Sequence, residues 1–194
     1  MKKGSAILTV LLLASSASAT VTVSAVWGED GLVAINYATT DAEPVRAFAL
    51  DITVDAGEIT AVSAFIRGES TMEQPGYGIF PASFSAAITV DPITGEVADW
   101  DIADYTPLAD PNDPGALGGL GTAGVTLEMG ALYAAPEAAP LLFGTLCKLE
   151  LTDPSASLFI DLNSIRGGIV LNDATAPIAP VLQSGPIPVP AQGQ

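Results

Sequence analysis

Histidine is absent from this 194-residue chain and cysteine occurs once. Those two shortages exclude whole classes of chemistry. Without histidine there is no Ser-His-Asp triad, no Cys-His pair and no histidine-ligated zinc. A lone cysteine, Cys147, makes neither an intramolecular disulfide nor a CxxC motif. Cations are also few: 6 Lys and Arg stand against 22 Asp and Glu, for a formal charge of −16. Phosphate contacts need basic clusters, so nucleic acid is not an expected partner. Aromatics make up 6% of the chain. That leaves Trp27, Trp100, Tyr77, Tyr105 and Tyr133 as the candidates for a sugar-stacking face. Beyond the N-terminal segment no apolar run approaches the roughly 20 residues of a helical membrane span.

What is present begins with an address. Lys2 and Lys3 precede an apolar run from Ala6 to Ala14, and Ala17-Ser18-Ala19 supplies a small-x-small cleavage site. This three-part pattern predicts a secretory signal peptide over residues 1–19. Losing Lys2 and Lys3 takes the formal charge from −16 to −18. The expectation is a secreted protein, extracellular or at the cell surface, without a membrane span. Residues 20–175 read as a single β-sandwich domain and 176–194 as a Pro-rich extended tail, exposed as a linker, with prolines at 177, 180, 186, 188 and 190.

The middle of the chain has the period of strands, apolar residues at every second position. Val21, Val23 and Ala25 alternate with Thr22 and Ser24; Val33, Ile35 and Tyr37 follow the same rule. So do Phe48 to Val54, Phe84 to Val90, Val125 to Met129, Cys147 to Leu151 and Leu158 to Leu162, with a short last strand at Ile169 to Leu171. Ile59 to Ile66 is apolar on both parities. Turn signals separate these runs: Gly28 to Gly31, Asp91-Pro92-Ile93-Thr94-Gly95 and Asp153-Pro154-Ser155. The Asp91–Gly95 turn predicts a hairpin between the strand ending at Val90 and one over Glu96 to Ile102. Pro136 and Pro140 rule out a long helix in the Ala-rich stretch. The pattern predicts an all-β fold, one sandwich of about eight or nine strands.

Several motifs carry a chemical reading beside a plainer one. Gly119-Leu120-Gly121-Thr122-Ala123-Gly124 has the spacing of a dinucleotide fingerprint, but a strand follows it where a helix is needed. It reads as a glycine-rich approach to a strand. Ala103 to Gly124 is a long insertion rich in Asp, Pro and Gly, a kind of loop that is usually functional or supports an edge. In and before it, Asp99, Asp101, Asp104, Asp110, Asn112 and Asp113 crowd together. Of these Asp99, Asp101, Asp110, Asn112 and Asp113 are the candidate calcium ligands, against the alternative of a solvated acidic loop. Cys147 shares the apolar parity of Leu149 and Leu151 and reads as a buried thiol, with an intermolecular disulfide as the alternative. Arg67-Gly68-Glu69 and Arg166-Gly167-Gly168 are explained by turn chemistry.

Gly31-Leu32-Val33-Ala34-Ile35-Asn36-Tyr37 followed by Ala47-Phe48-Ala49-Leu50-Asp51-Ile52 resembles the paired strands of cohesin-like, immunoglobulin-like sandwich modules of secreted bacterial proteins. Three further blocks, Leu117 to Tyr133, Gly144-Thr145-Leu146-Cys147 and Arg166 to Leu171, are similar to a group of uncharacterised exported proteins, many with a dockerin-like tail. The resemblance implies a cohesin-like sandwich and an extracellular setting, without a known activity; the dockerin-like calcium repeat of that group has no counterpart here.

No pair of the 22 acids is marked out for acid–base work on a glycosidic bond, so the chain is expected to be non-enzymatic. Two function classes follow. One is a structural subunit of an extracellular or cell-surface assembly, a homo-oligomer or polymer. It would be built by donating the N-terminal strand, with Val21, Val23 and Ala25 as the assembly residues. The alternative is a recognition module, cohesin-like or carbohydrate-binding, for a dockerin-bearing protein or a polysaccharide.

Overall fold

Strand alternation becomes two packed sheets in the computed structural model, which describes residues 19–40, 44–79, 89–90, 93, 97–99, 105–133, 135–172 and 177–189. In β1 (Ala19–Trp27), Ala19, Val21, Val23 and Ala25 are buried while Thr20, Thr22 and Ser24 lie half-buried on the other face. A turn at Gly28–Leu32, with Asp30 accepting the Leu32 N–H at 3.2 Å, sends the chain back as β2 (Val33–Thr39). The next strands are β3 (Val45–Val54) and β4 (Ile59–Ser63), followed by a two-residue β5 (Gly78–Ile79). A short antiparallel pair, β6 (Thr89–Val90) and β7 (Val97–Asp99), lies at the predicted hairpin; most of that region is outside the described residues. The remaining strands are β8 (Gly124–Gly130), β9 (Phe143–Leu151), β10 (Ser157–Leu162), β11 (Ile169–Leu171), β12 (Ile178–Leu182) and β13 (Ser184–Pro186). Helical structure among the described residues is limited to single 3-10 turns, including Pro136–Ala138 and Ser164–Arg166.

The first sheet has the order β12-β1-β2-β9-β4 and the second the order β13-β10-β3-β8-β5, with β11 also paired to β3. The protein is thus an all-β sandwich. One core fills the space between the sheets: Ile35, Cys147 and Leu149 from the first join Phe48, Leu50, Ile52, Leu127 and Leu158 from the second. Three aromatics meet there. Tyr77 stands edge-on to both Tyr37 and Phe48, at 5.0 and 4.9 Å between ring centres. Their hydroxyls reach carbonyls, Tyr77 to Val45 at 3.0 Å and Tyr37 to Leu141 at 2.9 Å, which satisfies the polar tips. Tyr77, a candidate sugar-stacking residue by sequence, is therefore part of the core. Burial raises the Tyr37 phenol to about 12.

β9 begins four residues earlier than its alternation predicts, and a bulge is the reason. Ile35 stands opposite Cys147 and Asn36 opposite Thr145, so Leu146 is an extra residue. The bulge lets Leu146 and Cys147 both enter the core, which a regular strand forbids. Cys147 is fully buried, and desolvation pushes its thiol up to about 12.

The C-terminal segment, expected as an extended, exposed tail, carries two further edge strands. It is extended, but it is stitched to the sandwich. β12 adds to the outer edge of β1 in parallel, Ala19 beside Ile178 through Val23 beside Leu182. Gln183 then bridges the two sheets, donating its N–H to Val23 at 3.0 Å and accepting that of Ile160 at 2.9 Å. β13 continues along β10, and Trp27 donates to the Pro188 carbonyl at 2.9 Å. Proline is compatible with an edge strand because one side of such a strand makes no ladder.

Candidate binding groove on the second sheet

The groove arises from what β3 and β8 point outward. Phe48, Leu50 and Ile52 of β3 enter the core, so Ala47, Ala49, Asp51 and Thr53 face out. Thr126 and Glu128 of β8 do the same, standing beside Asp51 and Ala49. An antiparallel sheet usually presents a solvated polar face on this side. Here half of that face is covered and the other half is apolar.

The cover is the long insertion. It first runs beside the part of the β8 edge that β5 leaves uncovered: Ala109 donates to the Thr126 carbonyl at 2.9 Å, and Glu128 donates to that of Pro107 at 2.7 Å. It then folds over the face. Leu117 donates its N–H to Thr126 Oγ1 at 2.9 Å, and Thr126 Oγ1 donates to Asp51 Oδ1 at 2.6 Å. Asn163 Nδ2 reaches Asp51 Oδ1 at 2.9 Å and the Gly115 carbonyl at 2.6 Å. These bonds account for why Thr126, Glu128 and Asn163 are buried polar residues on an outer face.

Arg166 is the lip of the cover. After β10 the chain makes one 3-10 turn, Ser164–Arg166, and leaves it through Gly167 and Gly168 at φ 103° and 63°. That left-handed pair, which glycine adopts without strain, carries the chain back to β11. Arg166 grips Glu128 with Nε and with Nη2, the latter at 3.0 Å. It also reaches Asp113 Oδ2 with Nη2 at 3.3 Å and the Pro114 carbonyl with Nη1 at 3.1 Å. Its side chain is 7% exposed and that of Glu128 9%. The Glu128 carboxylate holds the guanidinium above its usual value, against the opposing effect of burial.

Beyond this lip the cover stops and a groove of about 480 Å³ opens. Ala47, Ala49 and Val170 line it together with Pro114, Ile165 and the Glu128–Arg166 pair. Ile165 packs against Gly115, where an added Cβ would stand 2.9 Å from the Ile165 Cβ, yet it remains 74% exposed. Small alanines let another chain approach closely, Ile165 offers an apolar wall, and the buried ion pair holds the shape. The arrangement is suited to binding.

The candidate residues from sequence lie elsewhere or play other parts. Asp113 belongs to the Arg166 network. Asp110 accepts the N–H and the Nδ2 of Asn112, each at 2.8 Å, and those bonds lower its pKa. Asp99 is in β7 with its side chain undescribed, and Asp101 is outside the described residues. Among the described residues no three Asp, Glu, Cys or His side chains gather as a metal would require. Val21, Val23 and Ala25, expected to be donated to a neighbour, are buried in their own sandwich, and β1 is paired on both edges by β2 and β12. Gly119–Gly124 leads into β8 with no helix after it. Ala47, Ala49, Ile165 and Arg166 escaped sequence reasoning. The available signal was the apolar outward parity of β3, readable once β3 itself was recognised.

Comparison of the chain with protein-family models, with curated proteins and with solved structures finds no match.

Proposed function

We propose that this protein is a non-enzymatic, exported recognition module that holds a segment of a partner protein in the groove on the second sheet. One observation carries the reading: the outward half-face at Ala47, Ala49 and Val170 is apolar and open, whereas the half beside it is sealed by a hydrogen-bonded cover. A ready-made concavity of this kind is the default binding-site hypothesis. Among the described residues that line it the one aromatic is Phe48, whose side chain belongs to the core, which favours an apolar peptide or helix surface over a sugar. The acidity of the chain, −16 overall, favours a partner with basic residues around its apolar ridge. A dockerin-bearing protein is the partner that the cohesin-like resemblance implies. Export rests on the predicted signal peptide.

Pull-down from the secreted proteins of the source cells tests the reading. A specific partner should be retained by the wild type and lost by Ile165→Glu and by Ala47→Arg, at the exposed and half-buried positions of the groove, with both variants keeping the wild-type melting temperature. A partner captured equally by all three would refute the groove.

A further inference from the structure

The opposite face of the molecule supports a separate inference, independent of the groove. On the outer face of the first sheet, strand register places Phe143, Ala38, Thr22 and Val181 side by side across four strands. Phe143 is 68% and Val181 54% exposed. The next row carries Thr145 and Asn36, whose side chains hydrogen-bond at 2.7 Å, and then Ser24. Among the described residues, the ladders place only two charged side chains on this face. They are Glu150, and Lys148, which Asp30 neutralises at 2.5 Å. The chain as a whole carries 22 acids.

We infer that this charge-poor face is a contact surface for a second copy of the chain. Like-charged molecules meet only where the acids are missing, and a face of short side chains is flat enough for sheet-on-sheet packing, about 10 Å apart and about −30° rotated. Phe143 and Val181 supply apolar area at the two ends of one row. Five strands of about seven residues span roughly 24 by 23 Å, or about 550 Å² from each copy. The total of about 1,100 Å² sits at the lower limit of specific interfaces. The dimer is therefore weak and concentration-dependent. Because the net charges repel, salt strengthens it, opposite to a contact made by ion pairs.

Sedimentation analysis of the chain without residues 1–19, from about 10 μM to about 1 mM, tests this at about 0.05 M and about 0.5 M NaCl. The dimer fraction should rise with both protein and salt. Ala38→Glu and, separately, Thr145→Glu should weaken association at least about 30-fold, by placing two like charges in one contact, with unchanged melting temperature. Phe143→Ala should weaken it about tenfold, and Ile165→Glu should leave it unchanged. A monomer throughout at high salt overturns the inference. So does a dimer indifferent to both glutamates, which would put the contact elsewhere, for instance in an exchanged β12.

Discussion

Replacing Arg166 by Met tests whether the cover of the second sheet is held by one ion-pair network. Met keeps much of the aliphatic stem and removes the guanidinium. Glu128, 7% exposed, then loses the Arg166 guanidinium and keeps its carboxylate near Asp113. Breaking a buried pair from one side costs about 3–5 kcal/mol. This pair lies beneath a single layer of loop, where water can refill the gap, so we expect about 2–3 kcal/mol. Urea unfolding should show a lower midpoint with an unchanged slope. The double variant Arg166→Met with Glu128→Met should recover most of the loss, because the uncompensated charge is gone; the cycle should return a coupling of about 1–2 kcal/mol. Hydrogen exchange localises the effect. The Ala109 and Glu128 amides, which tie the insertion to β8, should exchange faster in the single variant. A loss below about 0.5 kcal/mol, as for an exposed surface pair, with unchanged exchange, would refute the reasoning.

Three further outcomes are expected. The folded pKa of Cys147 is raised from 9.0 to about 12 and that of Tyr37 from 10.0 to about 12. Their contribution is thus complete below about pH 9 and is lost as pH climbs to about 12, each group adding a slope of up to about 1.4 kcal/mol per unit. Denaturation at stepped alkaline pH should find a shallower decline in Cys147→Ala; an identical slope would count against burial of the thiol. Removing residues 177–194 should lower the melting temperature by several degrees and promote aggregation, because the edges of β1 and β10 are left unpaired; light scattering equal to that of the full chain would contradict this. Gly115→Val, at φ 78° and against Ile165, should cost about 1–3 kcal/mol and weaken partner capture through a displaced lip, as read by calorimetry and pull-down.

The parts of the fold legible in the sequence are those where one residue in two meets the core. β1, β2, β3, β8 and β10 follow the period, and an all-β sandwich follows from them. The alternation of β9 starts only at Cys147 because the extra residue at Leu146 breaks the parity before it. β12 was unreadable for a different reason. Pro180 argues against a strand, and its parallel partner is the other end of the chain, so no local signal marks the pairing. The groove was hidden at a higher level. Alanine at 47 and 49 is unremarkable in sequence, and Arg166-Gly167-Gly168 is adequately explained as a turn. Their meaning comes from Glu128 standing beside Ala49 and from a cover whose lip is formed where Arg166 meets Pro114.

The pairing of the 20th residue with the 179th sets the order in which this molecule can be completed. The first strand made is among the last to gain its second neighbour. Until residue 182 has emerged one side of β1 lies open, and until residue 186 has emerged so does one side of β10. Contacts so distant along the chain slow folding, toward the millisecond-to-second range of sandwiches built on non-local pairs, at about 25 °C. Only a chain translated to its C-terminal strands seals its edges, and a prematurely terminated product stays open, which makes it a ready substrate for proteases and for aggregation.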